Sequence, residues 1–291
     1  MTEQLIKSIT WLVDGRHDVH PAVTDKVLTL AKLQQAKINL IFDNRLRARE
    51  RHYWFLFEQS EQVESDWRQQ QQLKQQALKD ALEESQISYN FEIVENANYL
   101  DSVKKYQKTI KNSLVVIQDQ APGDRHPVFQ DLANINSHIL LLTPKPWSKN
   151  MSLLGAVDPL HEHSRPEDMD FVISRKTQHL AKLFKCEWFI GHACHIPASF
   201  VQYKHKISTL HRQGLDDFMA RIGVTSKHGI LLSGLPERAL PEWIAKQKTD
   251  ILLLGNVTRN ALFSHLVGST TAALLSKPPC DMLLVKSQAS S

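Results

Sequence analysis

One order of apolar runs, helical patterns and strand-ending aspartates occurs twice in this chain. That restart restricts the folds open to it more than any other feature. Leu12 and Val13 lead into Asp14 at the end of the apolar run 9–13, and Ala156 and Val157 lead into Asp158 at the end of the run 153–157. The runs 139–142 and 282–285 likewise answer each other. Between the copies stand Pro144 and Pro146, which disfavour helix and mark a linker.

Within each copy short apolar runs alternate with helical patterns. The first copy has runs at 9–13, 38–42, 89–94, 114–117 and 139–142, with helical spacing around 23–31, 67–82 and 103–110. The second has runs at 153–157, 188–190, 229–232, 251–254 and 282–285, with helices near 171–184, 210–222, 240–245 and 269–276. Such alternation implies right-handed crossovers and a parallel sheet. Two five-stranded α/β repeats, 1–146 and 147–291, therefore fit the 291 residues better than one large domain.

The stretch 250–286 carries the strongest functional signal. A buried run stops at Gly255, a loop follows, and Gly268 stands directly before Ser269, Thr270 and Thr271. Hydroxyl residues open helices, and the first helical N–H groups lack intrahelical partners, so a strand, a glycine loop and such a helix make an anion site.

These residues resemble the universal stress protein family in its tandem-domain form. The resemblance spans both repeats and is specific mainly in the second, where residues 234–242 and 250–255 are similar to the family's third helix and fourth strand. It implies an adenine nucleotide alpha hydrolase-like fold in each repeat. ATP-binding members carry Gly, two residues, Gly, nine residues, then Gly and Ser or Thr; those positions are Gly255, Thr258, Gly268 and Ser269 here. The resemblance places Asp158 against the adenosine, backbone near Gly191 by the base, and Gly255, Gly268 and Ser269 around ribose and phosphates, with Thr270 beside them. Arg259 and His265 are further candidates for phosphate contacts. Thr258 departs from the family's glycine. If that position needs a positive φ, its branched Cβ shifts the loop or weakens binding. The first repeat has no Gly-Ser pair after its fourth run, so at most one nucleotide, ATP or another adenine nucleotide with Mg, is expected.

Other features weigh less. His161, His163, His192, Cys194 and His195 follow two neighbouring runs and could suit zinc, yet show no recognised ligand spacing, so no metal is expected. Arg45, Arg47, Arg49 and Arg51 precede His52, Tyr53 and Trp54, but Glu50, Glu58 and Glu61 offset them, and the net charge is only +4; nucleic acid is not an expected partner. The run Gln69 to Gln72 reads as an exposed helix face. There is no Walker A loop, no Gly-x-Gly-x-x-Gly, no His-Glu-x-x-His and no Gly-x-Ser-x-Gly, which points away from an enzyme. Three scattered cysteines suit a reducing cytoplasm, and no apolar run approaches membrane-spanning length, so a membrane is left out of the expected partners.

The expectation is thus a stress-response binding or regulatory module that is not catalytic. Its rivals are an ATP-independent module taking an apolar ligand or a protein in the inter-repeat cleft, and a slow Mg-dependent ATPase. The two repeats are expected to pair through their last strands within one chain, and a homodimer is open.

Overall fold

The computed structural model describes residues 6–45, 60–95, 98–109, 113–121, 124–160, 168–256 and 269–286. The chain divides into two compact units. The smaller holds residues 4–118 and 144–146; the larger holds 1–3, 119–143 and 147–291.

In the smaller unit four parallel strands lie in the order β3-β2-β1-β4: β1 (Ser8–Asp14), β2 (Lys37–Asp43), β3 (Tyr89–Val94) and β4 (Ser113–Gln118). Central β1 is buried at every residue, which is why it reads as a continuous apolar run and not as an alternating one. Helix α1 (Pro21–Gln34) starts where sequence rules place a start. Pro21 stands in its first turn, and the His20 ring accepts a hydrogen bond from the Ala22 N–H at 3.2 Å. Its apolar face, Val23, Val27 and Leu30, is buried. Helix α2 (Ser60–Glu84) is polar and buries only a narrow stripe that includes Gln71, Leu78 and Leu82. Gln71 is therefore not on an exposed face, whereas Leu73, two positions on, turns outward and is 65% exposed. Helix α3 (Tyr99–Thr109) completes the unit.

The larger unit has six strands in the order β5-β10-β9-β6-β7-β8: β5 (His138–Leu142), β6 (Ser152–Val157), β7 (Glu187–Cys194), β8 (Gly229–Ser233), β9 (Ile251–Gly255) and β10 (Asp281–Val285). All neighbours are parallel except β5 and β10, which run antiparallel with Leu140 opposite Leu283. The last strand of the first sequence copy thus lies against the last strand of the second. Helices α4 (Met169–Phe184), α5 (Lys204–Arg221), α6 (Pro236–Gln247) and α7 (Ser269–Ser276) make the crossovers.

Three helix ends use one device. Gln35, Lys185 and Lys248 each adopt a left-handed conformation just past α1, α4 and α6. The next residue then donates its N–H back into the last turn: Ala36 to Ala31 at 2.9 Å, Cys186 to Ala181 at 3.0 Å and Thr249 to Ile244 at 3.1 Å. The same stop, one residue before a strand, recurs after the first helix of each copy.

Within the larger unit, two buried or half-buried aspartates tie down the residues on either side of 144–146. Asp281 accepts from the Thr143 N–H and hydroxyl and from the Trp147 indole N–H, each at 2.7 Å. Asp250 accepts from the Ser148 N–H and hydroxyl, both at 2.7 Å, and from the Ser152 N–H at 3.0 Å. Three donors per carboxylate offset the cost of taking its charge out of bulk water.

Candidate functional site

In the larger unit the chain runs from β6 outward through β7 to β8, then returns to the other side of β6 as β9 and continues to β10. The direction of winding therefore reverses between β6 and β9, which are paired through Leu154 and Leu252. In open α/β sheets the loops part at such a switch point and leave a crevice beyond the carboxyl ends of the strands. Asp158 follows β6 and Gly255 ends β9, so each border of the crevice carries a residue that the sequence singled out. Ser269 and Thr270 begin α7, the helix that follows β9. Its first turn is tied to the strand end by a hydrogen bond from the Thr271 hydroxyl to the Gly255 carbonyl at 3.3 Å.

Asp158 is positioned through its backbone. Its N–H points at both carboxylate oxygens of Asp170 at 3.2 Å, and Asp170 is buried near the start of α4. The Asp158 side chain is 41% exposed, with Oδ1 3.7 Å from His192 Nδ1. Asp14, which ends the equivalent strand of the smaller unit, is more deeply buried and has a different partner. Its side chain is 4% exposed and holds Arg16 through both oxygens, the Arg16 Nε lying 2.9 Å from Oδ1. Asp43, at the end of β2, is likewise engaged by Arg45 at 2.7 Å to each oxygen, with the guanidinium over the Tyr99 ring. An aspartate committed to a neighbouring guanidinium is a poor partner for a ligand hydroxyl. The carboxylates that end β1 and β2 are thus engaged by arginines of their own unit. After β4, moreover, come two short 3-10 turns, Pro127–Gln130 and Leu132–Asn134, in the larger unit. The corresponding position after β9 holds the α7 helix.

β7 runs further than its apolar core suggests. Gly191 is not beyond the strand but inside it, opposite Ala156, with His192 opposite Val157. It is buried, and a Cβ there would meet Leu154 Cδ1 at 3.0 Å, so close packing accounts for the glycine. Continuing the register by one brings Ala193 level with Asp158.

His192 and Cys194 consequently point to one face of β7 and not into a loop. The His192 Nδ1 lies 3.2 Å from the Val157 carbonyl, which can only accept, so Nδ1 carries the proton. In the neutral ring Nε2 is left to accept, and it meets His211 Nδ1 of α5 at 2.7 Å with the two rings stacked. Burial pushes the Cys194 thiol above its ordinary pKa, with a Ser208 hydrogen bond acting in the opposite sense. A thiol held protonated is neither a reactive nucleophile nor a ready ligand. Among the described residues no group of three or more His, Cys, Asp or Glu is placed to hold a metal.

Thr258, Arg259, His265 and Gly268, as well as His161 and His163, lie outside the described residues. Asp170, His211 and Asn256 were not singled out from sequence. Asn256 is buried, and its N–H donates to the Val285 carbonyl at 2.7 Å while its Oδ1 has no hydrogen-bond partner among the described residues. Its place directly after Gly255 was the only signal available.

Residues 171–286 match the universal stress protein family. Over 84 residues the chain is 27% identical to the universal stress protein E homolog of Haemophilus influenzae, covering 29% of this chain and 27% of that protein. Over 152 residues it is 21% identical to universal stress protein E of Photorhabdus laumondii, covering 48% of each. The chain therefore spans about a quarter and about half of these curated relatives. A crystal structure from Pseudomonas aeruginosa that bears the same family name superposes with a TM-score of 0.71 at 17% identity, covering 97% of this chain and 94% of that one. That likeness shows a shared fold along nearly the whole chain.

Proposed function

We propose that the universal stress protein domain of this chain binds an adenine nucleotide beyond the β6 and β9 strand ends, and that the protein serves the stress response as a binding and regulatory module, not as a catalyst. The observation that carries this reading is the switch point, bordered on one side by Asp158, 41% exposed with Oδ1 3.7 Å from His192 Nδ1, and on the other by Gly255 and the start of α7. In this reading Asp158 takes the ribose or base, and the backbone at the end of β7 lies by the base. Gly255, Gly268, Ser269 and Thr270, with Thr258 and Arg259, surround the phosphates and their Mg ion. A helix start is suited to phosphate because its N–H groups and dipole both favour negative charge.

The antiparallel β5–β10 contact supports a further part of the proposal, that the two sequence repeats pair through their last strands. Cys186, Cys194 and Cys280 form no disulfide, which suits a cytoplasmic setting.

Calorimetric titration of ATP with Mg into the full chain and into Asp158→Ala tests the reading. Saturable binding that weakens about tenfold or more in the variant, a loss of ~1.4 kcal/mol or more, is expected. Absence of binding to the unaltered chain would turn the reading toward an ATP-independent module. Turnover well above background, lost in the same variant, would make the protein an ATPase.

A further inference from the structure

We propose that the 3-10 turn Ala198–Tyr203 and the first half of α5 form a peripheral docking surface for an anionic phospholipid bilayer. Five of the eight large apolar side chains exposed among the described residues gather here: Leu160, Phe200, Val201, Tyr203 and Leu210, at 43, 50, 56, 48 and 59%. Single exposed apolar side chains are ordinary, whereas a cluster on one element calls for a partner. Phe200, Tyr203, Ile207 and Leu210 are spaced three, four and three residues apart, so they form one stripe along the 3-10 turn and the helix. Leu160 extends it, since its Cδ2 lies 2.5 Å from where a Cβ on Gly214 would stand. This stripe is not the buried face of α5, which is Leu215, Phe218 and Met219. Every residue from 197 to 206 is exposed, so the turn projects from the unit.

The charge of the segment selects the partner. From Trp188 to Leu215 there is no acidic residue, while Lys204, Lys206 and Arg212 are all exposed. A second copy of the same surface would bring like charges together. Nucleic acid would use the lysines but has no use for Val201, Leu210 and Leu160, which lack a ring for bases to stack on. A bilayer interface uses both sets. Phe, Val and Leu enter the acyl boundary, Tyr sits at headgroup level and lysines meet the lipid phosphates. Such contact lies in the plane of the membrane and needs no spanning helix; none of the described helices is long and apolar enough to span. The proposal does not depend on the nucleotide reading.

Flotation of the full chain with vesicles of equal parts phosphatidylglycerol and phosphatidylcholine, and with phosphatidylcholine alone, tests it. Binding to the mixed vesicles only, weakened by 0.5 M salt, is expected. A Lys near an anionic surface contributes about fivefold to affinity, so Lys204→Glu with Lys206→Glu should lower binding more than tenfold. The combined Phe200→Ser, Val201→Ser and Leu210→Ser variant should lose binding to a similar extent. All these side chains are exposed, and an unchanged thermal midpoint would show that the fold is kept. No binding to mixed vesicles would overturn the proposal. So would a serine variant that binds as the unaltered chain does, or equal binding to duplex DNA that the serine changes leave intact.

Discussion

Gln71 lies one turn before Lys74 on the buried stripe of α2 and is 1% exposed, yet among the described residues neither atom of its amide has a hydrogen-bond partner. It is accommodated because residue 15 is glycine: a Cβ there would stand 2.7 Å from Gln71 Oε1 and 2.9 Å from the Asp43 carbonyl. A buried amide without partners costs about 1–3 kcal/mol. Gln71→Met keeps length and flexibility and removes both polar atoms, so it should raise stability by about 1–2 kcal/mol. The expected reading is a higher urea midpoint with an unchanged slope. A lower midpoint would mean that the amide is satisfied in solution. At the same scale, Asp14 and Asp158 look alike in sequence, but Arg16, two residues after Asp14, engages the first carboxylate through both oxygens, while the second is 41% exposed and lies 3.7 Å from His192 Nδ1.

At the scale of elements, β5 and β10 meet through a histidine. The His138 Nδ1 accepts the Lys286 N–H at 3.1 Å, so a proton on that nitrogen would face a donor. Burial, with a smaller contribution from Lys176, pushes this imidazole down to about 4. An unfolded chain takes up the proton as pH falls through about 6.5, and the folded chain not until about 4, so within that window the unfolded state binds more protons. Stability should therefore fall as pH drops from about 6.5 to about 4, by roughly 3 kcal/mol in total from this group. His138→Asn retains an acceptor and cannot titrate; its stability curve should be flatter than that of the unaltered chain by this difference. Parallel curves would remove His138 as the cause. Elements of this kind were mostly legible beforehand. Strands buried on both faces are short apolar runs, and each helix after a strand shows its spacing. What escaped reading was set by tertiary packing. Gly191, His192, Ala193 and Cys194 look like a loop, yet β6 on one side and β8 on the other pair with them and extend β7. After β4 the chain makes 3-10 turns where the second copy has α7, in a proline-containing stretch without helical periodicity. At the candidate site, Asp158, Gly255 and Ser269 announce themselves as strand and helix ends. Asp170 and His211 do not, because their roles come from contacts across 12 and 19 residues of sequence.

For the whole molecule, the sequence repeats and the compact units cut the chain at different places. Sequence puts a boundary after residue 146, while β5 and the turns before it belong with the larger unit. The chemistry of the junction explains why. β10 has β9 on one side and β5 on the other, with Leu140 opposite Leu283 and Leu141 opposite Met282, all buried. Asp281 also draws two hydrogen bonds from Thr143. A fragment beginning at residue 147 would keep the switch point, Asp158 and α7, but would leave one edge of β10 unpaired and apolar and Asp281 short of two donors. An open edge of this sort recruits another strand. The isolated fragment 147–291 should therefore self-associate through β10, giving a dimer by light scattering after size exclusion. It should also be less stable than the full chain by about 2–4 kcal/mol, given one to two hydrogen bonds to a charged group and lost apolar burial. Supplying 119–146 as a separate peptide should return the fragment to a monomer, because β5 restores both the ladder and the donors to Asp281. A fragment that is monomeric and as stable as the full chain would show that β5 is dispensable to this unit.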